Sequence, residues 1–460
     1  MVLQMAPAPA KAGPVPGTGP GPRPPRWPIA LVFGGYPLMW ALGFGPVALP
    51  LLTGFCLLWL LRHRRRLLAP RATGPWFAFL LWLVVSLGAL DLLAPGTVGG
   101  GGFGATLAFA YRAVMYLSAT ALMVYLVSTT EQEVPARLVV RSLGWLFFGA
   151  VVGGYLGLLV PTGGFTSPVE HLLPQFLASN SFVRELVHPS FAQVQDVLGV
   201  GDARPSAPFT YTNEWGSMVA YLLPAFVVDR VVLGGTRERV WGAGVLALSV
   251  VPIVLSLNRG LWLSLALAGA ISAFLVVRRR PRLLAPLVLA VVLSGGVFLA
   301  SPLGSILEDR AASEHSLSAR SFIVEKAVDG AIASPLVGWG GPRQPEGNPD
   351  SRVSGESQAC PKCSPPSVGT HGQLWLVVFS HGLLGAALFF GYFARAWWQQ
   401  LRPPHAIAAL GFVYLSVWFL QMFFYPGVPW PVHLVLAMIA LRARGTPIPA
   451  GGPSRGTATS

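Results

Sequence analysis

Residues 105–127 read ATLAFAYRAVMYLSATALMVYLV, an apolar run interrupted by a single charge, Arg112. Its length matches the ~20 residues that cross ~30 Å of hydrocarbon, so it is predicted to be a membrane-spanning helix. Comparable stretches lie on either side. Upstream they fall at 29–44, 47–61 and 76–93; downstream at 142–160, 213–232, 240–257, 261–277, 283–301, 371–394, 406–424 and 428–441. The predicted fold is an all-α polytopic membrane protein of about 12 transmembrane helices. No alternating barrel pattern is present. Composition agrees: 53% of residues are hydrophobic and 11% charged, with mean hydropathy +0.59. A soluble domain carries about 25% charged residues, so this chain has too little polar surface to be one.

The formal net charge of +14 raises nucleic acid as a partner, and the placement of the charges argues against it. Only Lys11, Lys326 and Lys362 are lysines; the arginines gather in short clusters between apolar runs, such as Arg62/Arg64/Arg65/Arg66, Arg278/Arg279/Arg280/Arg282 and Arg442/Arg444. This is the bias that keeps basic loops in the cytoplasm. With the N-terminus inside, cytoplasmic segments receive 22 of the 32 basic residues and 4 of the 18 acidic ones. Both termini are then cytoplasmic in a plasma-membrane protein, and two long extracytoplasmic loops, 161–208 and 302–370, face out. Residues 1–28 contain nine prolines and no apolar run, so they read as a disordered tail, as do 444–460. Between the tails lie an N-terminal helical part (29–160), the outer loop 161–208, core helices (209–301), the outer loop 302–370 and C-terminal helices (371–443).

Ionisable residues at membrane depth are costly and point to function, about 2.5–3.5 kcal/mol for a central Arg. Arg112 lies about two turns inside its span; it either snorkels to the outer headgroups or meets an anionic ligand in an outward cavity. Arg259, in Ser256-Leu257-Asn258-Arg259-Gly260, marks a tight outer turn where guanidinium and backbone N–H groups can converge on phosphate; a purely structural turn is the alternative. Arg320 opens a stretch, 318–332, with helical spacing of Ile323, Ala327 and Ala331. A helix N-terminus there favours an anion, unless the helix is simply amphipathic and lies on the membrane. Cys360 and Cys363 suit a local disulfide or free thiols outside the cell, and zinc would need His371 or His381 as well. There is no Asp-x-Asp pair and one adjacent acidic pair, Glu308-Asp309, so no metal or other cofactor is expected.

These elements, in this order and on this membrane side, resemble the O-antigen ligase/Wzy polymerase superfamily. The matching pieces are the Ser256–Gly260 turn, Ala319-Arg320, Pro335-Leu336-Val337-Gly338-Trp339-Gly340, and Thr370-His371 opening a span. Phe209 to Asn213 resembles the family's Phe-x-x-x-Asn segment. The chain departs from the pattern at Leu257-Asn258, and in the Cys-x-x-Cys insert before His371. The resemblance implies a GT-C-like enzyme that passes a glycan from a polyprenyl-diphosphate carrier to a glycan or lipid acceptor at the outer leaflet. By carry-over, Arg259 and Arg320 would bind the diphosphate and His371 would serve the acceptor hydroxyl. Arg112, Asn213, Gly338, Gly340 and Arg343 are the accompanying substrate-binding candidates.

The chemistry fits. Breaking an anomeric C–O bond to diphosphate builds negative charge that fixed arginines can stabilise. Ligase and polymerase share this donor chemistry. A multi-span transporter is the rival class; against it stand the lack of an internal repeat and of paired broken helices.

Overall fold

The structure is a computed structural model, and it describes residues 22–178, 181–196, 201–285, 315–346, 367–403 and 405–444. The chain is mostly helical with little sheet, as an all-α membrane protein. Two short helices, α1 (Trp27–Phe33) and α2 (Tyr36–Ala41), lead into α3 (Ala48–Arg62), α4 (Gly74–Leu87), α5 (Gly102–Ser128) and α6 (Ala136–Leu159). Three short helices follow, α7 (Pro168–Leu172), α8 (Gln175–Ala178) and α9 (Ser181–Val187), then an antiparallel hairpin of β1 (Ala192–Asp196) and β2 (Gly201–Pro205). The remaining helices are α10 (Thr212–Phe226, continued by a π-helical turn Val227–Val232), α11 (Thr236–Leu255), α12 (Arg259–Arg279), α13 (His315–Ala333), α14 (Gln373–Gln399), α15 (Ala406–Gln421) and α16 (Trp430–Ala443).

Six helices are long and apolar enough to cross a membrane: α5, α6, α10 with its continuation, α11, α12 and α14. Four shorter apolar helices, α3, α4, α15 and α16, have 14 to 16 residues. At 1.5 Å per residue a 14-residue helix reaches about 21 Å, short of the ~30 Å hydrocarbon. The expectation of about twelve full spans is therefore corrected. The run at 29–44 breaks at Gly34-Gly35, where two helix-weakening residues meet and Pro37 restarts the chain in the first turn of α2. Most of the run at 283–301 lies outside the described residues. The interval 161–208, expected to be a loop, holds α7 to α9 and the hairpin, whose β2 packs against α6.

Lipid exposure is readable from packing. α12 has the highest mean hydropathy of the six, 2.1, yet only 17% of its apolar window is buried; α11 is buried over 28%. Such apolar, exposed helices belong against hydrocarbon. At the opposite extreme α16 is buried continuously from Trp430 to Ala440, enclosed by α5, α15 and other helices, so it needs no lipid-matched length. α5 forms the axis, packing on α3 and α16, while α14 packs on α4 and α13. Alternate connections meet at the same end: Arg65 pairs with Glu133 at 2.9 Å, Arg444 donates to Val134 O at 2.7 Å, and Arg279 donates to Pro403 O. At the other end Val98 N–H donates to Gln344 O at 2.9 Å, and Tyr425 Oη donates to the Asn258 side chain.

Candidate functional site

α14 is not a continuous helix. At Gly382 the backbone turns to φ 68°, ψ −176°, and main-chain groups around it leave the helical ladder. The Pro335–Gly340 turn takes their place. Trp339 N–H donates to Phe379 O (3.0 Å), Gly340 N–H to Ser380 O (2.8 Å), and Leu383 N–H to Pro335 O (2.6 Å). Gly338 and Gly340 have φ of 73° and 72°, and a Cβ on either would come within 2.6 Å of main-chain atoms. Only glycine combines that backbone conformation with that approach. The two glycines thus dock one backbone against another.

The turn is held from below by Arg343, which is 3% exposed. Its guanidinium donates to Leu90 O (2.6 Å), Trp339 O (2.7 Å), Gly341 O (3.0 Å), Pro342 O (3.2 Å) and Ala89 O (3.4 Å). Burial lowers its pKa, and the Asp91 carboxylate opposes that. Arg343 therefore ties the end of α4 to the 339–342 backbone.

Arg112 of α5 sits against the same loop: a Cβ on Gly341 would lie 2.8 Å from its Nη2. Arg112 makes no hydrogen bond or ion pair with the described residues. It lies within electrostatic range of Arg343 and of His381, the residue at the break in α14. His381 is 3% exposed, its Nδ1 2.7 Å from Ser86 Oγ, and its carbonyl accepts from Trp82 Nε1 at 2.9 Å.

Arg259 and His371 approach one further element, the 422–427 turn between α15 and α16. Arg259 is the first residue of α12, capped by the Asn258 side chain, which accepts from Leu261 N–H at 3.2 Å and from Tyr425 Oη. Just before it Leu257 has φ 52°, a conformation that costs a non-glycine residue about 1–2 kcal/mol. His371, half-buried with Nδ1 3.5 Å from Thr370 Oγ1, precedes α14. Beside it Gln373 N–H donates to Tyr425 O and Leu374 N–H to Met422 O, both at 2.8 Å. Gln373 Nε2 also donates to Tyr116 Oη (2.8 Å), one turn along α5 from Arg112. The turn at 422–427 thus carries the Arg259 cap on one side and the His371 segment on the other, with Arg112 reached through Tyr116.

Asn213 lies in the first turn of α10, half-buried and without a hydrogen-bond partner among the described residues. Next to it stands Glu214, which sequence reading passed over. One oxygen of Glu214 accepts from Thr210 N–H at 3.1 Å; the other is buried with no partner among the described residues. The cost rule that singles out Arg112 applies equally to this carboxylate at the start of a span, so the signal was present. Arg320 lies on α13, and its side chain is outside the described residues, as are Cys360 and Cys363. α13 itself runs from His315, three residues earlier than expected, and buries Ile323, Ala327 and Ala331 as their spacing predicts.

Residues 244–390 match the family model for O-antigen ligase. The core of this chain is O-antigen-ligase-like. The match covers the Arg259 turn, α13, the Pro335–Gly340 turn and the break in α14, and it ties the chain to cell-surface polysaccharide assembly as a ligase or polymerase. For an O-antigen-ligase-like protein the implied substrates are lipid-linked glycans within a membrane. No curated protein matches the chain.

Proposed function

We propose that this protein is an outer-leaflet glycosyltransferase that moves a glycan from a polyprenyl-diphosphate carrier to an acceptor hydroxyl. The observation that carries the reading is the shared 422–427 turn, which holds the Arg259 cap and the His371 segment together across three helices. In the reaction the bond between anomeric carbon and diphosphate oxygen breaks, and the acceptor oxygen bonds to that carbon. Arg259, at a helix N-terminus, is suited to the charge growing on the diphosphate; Arg320 is its proposed companion, and Arg112 supplies a third, uncommitted guanidinium. His371 accepts the proton from the acceptor hydroxyl, a task suited to an imidazole near neutral pH. Asn213 and Glu214 border this end as candidates for holding the sugar or acceptor. Gly338, Gly340 and Arg343 serve the substrate through the loop they build.

The test is purified protein with carrier-linked repeat, with and without acceptor. A single transfer to acceptor identifies a ligase; a ladder of lengthening products identifies a polymerase. Arg259→Lys and Arg320→Lys should each lose about 10- to 150-fold in rate, because an ammonium cannot grip two phosphate oxygens at once. Solute flux in proteoliposomes without any glycan product would overturn the reading in favour of a transporter.

A further inference from the structure

Far from the His371 turn, at the end of the bundle where the arginine clusters gather, three apolar helices leave a cavity of about 210 Å³. Its wall is the segment leading into α4 (Arg71), the end of α14 (Arg395, Gln399, Gln400) and the end of α16 (Arg442), and none of the lining residues is acidic. Arg395 and Arg442 make no hydrogen bond or ion pair with the described residues. The side-chain amide of Gln400, a residue 3% exposed, makes none either. Elsewhere at this end arginines are neutralised: Arg65 by Glu133, and Arg137, Arg141 and Arg230 by Asp229 and Glu238. Three arginines facing one uncompensated cavity need a counter-charge.

The cavity could hold roughly seven waters at about 30 Å³ each, room enough for a phosphate group. Its level in the membrane is marked by Trp398, 70% exposed and one turn beyond Arg395 on α14. Exposed tryptophan at a helix end is typical of the headgroup layer, and basic pockets between spanning helices bind anionic headgroups. We infer that this cavity is a binding site for the phosphate headgroup of an anionic phospholipid, formed by Arg71, Arg395 and Arg442. The site is separate from the transfer chemistry and clamps the ends of α14 and α16, which carry the break at His381 and the 422–427 turn at their far ends.

Native mass spectrometry of the full chain in detergent tests this, with dioctanoyl phosphatidylglycerol, dioctanoyl phosphatidylcholine and inorganic phosphate as probes. The expected result is one phosphatidylglycerol retained at least ~10-fold more tightly than phosphatidylcholine. Arg395→Gln should weaken it about fivefold, and the triple change Arg71→Gln/Arg395→Gln/Arg442→Gln about 100-fold. Arg278→Gln, at a basic position outside the cavity, should leave binding unchanged, which separates a built site from general attraction to a basic surface. Equal retention of both lipids, or unchanged binding in Arg395→Gln, overturns the inference. Displacement of phosphatidylglycerol by inorganic phosphate at equal concentration overturns the lipid assignment in favour of a free-anion site. Arg395 is exposed, so its single variant folds and gives a reading even if the triple variant does not.

Discussion

Arg343→Lys separates a substrate ligand from an architectural hub. Lysine keeps the charge and replaces a five-donor fork with one point. Of the five carbonyl contacts, those to Leu90 O, Trp339 O and Gly341 O are short, at 2.6, 2.7 and 3.0 Å. An ammonium can reach one of the three in its stead, so two are lost. Hydrogen bonds to a charged group contribute about 1.5–3 kcal/mol each, which gives about 3–6 kcal/mol; hydration of the freed carbonyls brings the expected loss to about 3 kcal/mol. Unfolding of a membrane protein in detergent is generally irreversible, so the readout is the half-life of the folded monomer at a fixed temperature, followed by size-exclusion chromatography. The half-life should fall at least ~10-fold, because contacts that span the α4 end and the 339–342 loop break early in unfolding. Donor affinity of the surviving folded fraction should stay within about threefold. A normal half-life together with a ~10-fold loss of donor affinity would refute the reasoning and place Arg343 on the substrate.

His371→Ala should fold and bind donor yet transfer at least ~100-fold more slowly, and the wild-type rate should fall on acidification as an imidazole protonates; loss of donor binding in the variant would assign His371 to the diphosphate site or the fold instead. Glu214→Gln keeps an acceptor for Thr210 N–H and removes the carboxylate. Turnover should drop ~10- to 100-fold at normal protein level, and unchanged turnover removes Glu214 from the site. For topology, with Cys56, Cys360 and Cys363 replaced, Leu172→Cys should react with an impermeant thiol reagent in intact cells and Leu67→Cys should not; both positions are exposed, and the reverse pattern would invert the proposed orientation.

Membrane residence and helical class were legible from sequence, because a bilayer imposes a length and a composition that any window of apolar residues reveals. Arg259, Arg320 and His371 were legible as candidates for a related reason: a polar group at the edge of an apolar span stands out against its surroundings. The stripe Ile323, Ala327 and Ala331 was correctly read as a buried face from its period alone, since helical spacing is a local property. Span count was overestimated because hydropathy does not see helix length: α16 reads as a span but is enclosed by protein, and 29–44 reads as one run although Gly34-Gly35 breaks it. What only the tertiary structure decided is which polar groups are already spoken for. Arg343 and Arg112 look alike as isolated arginines. The first is spent on carbonyls of the α4 end and the 339–342 loop, and the second is left without a partner among the described residues. The same holds for Gly338 and Gly340, whose task follows from the carbonyls that the break in α14 exposes. Satisfaction of a hydrogen bond depends on groups distant in the chain, and so no local reading of the sequence contains it.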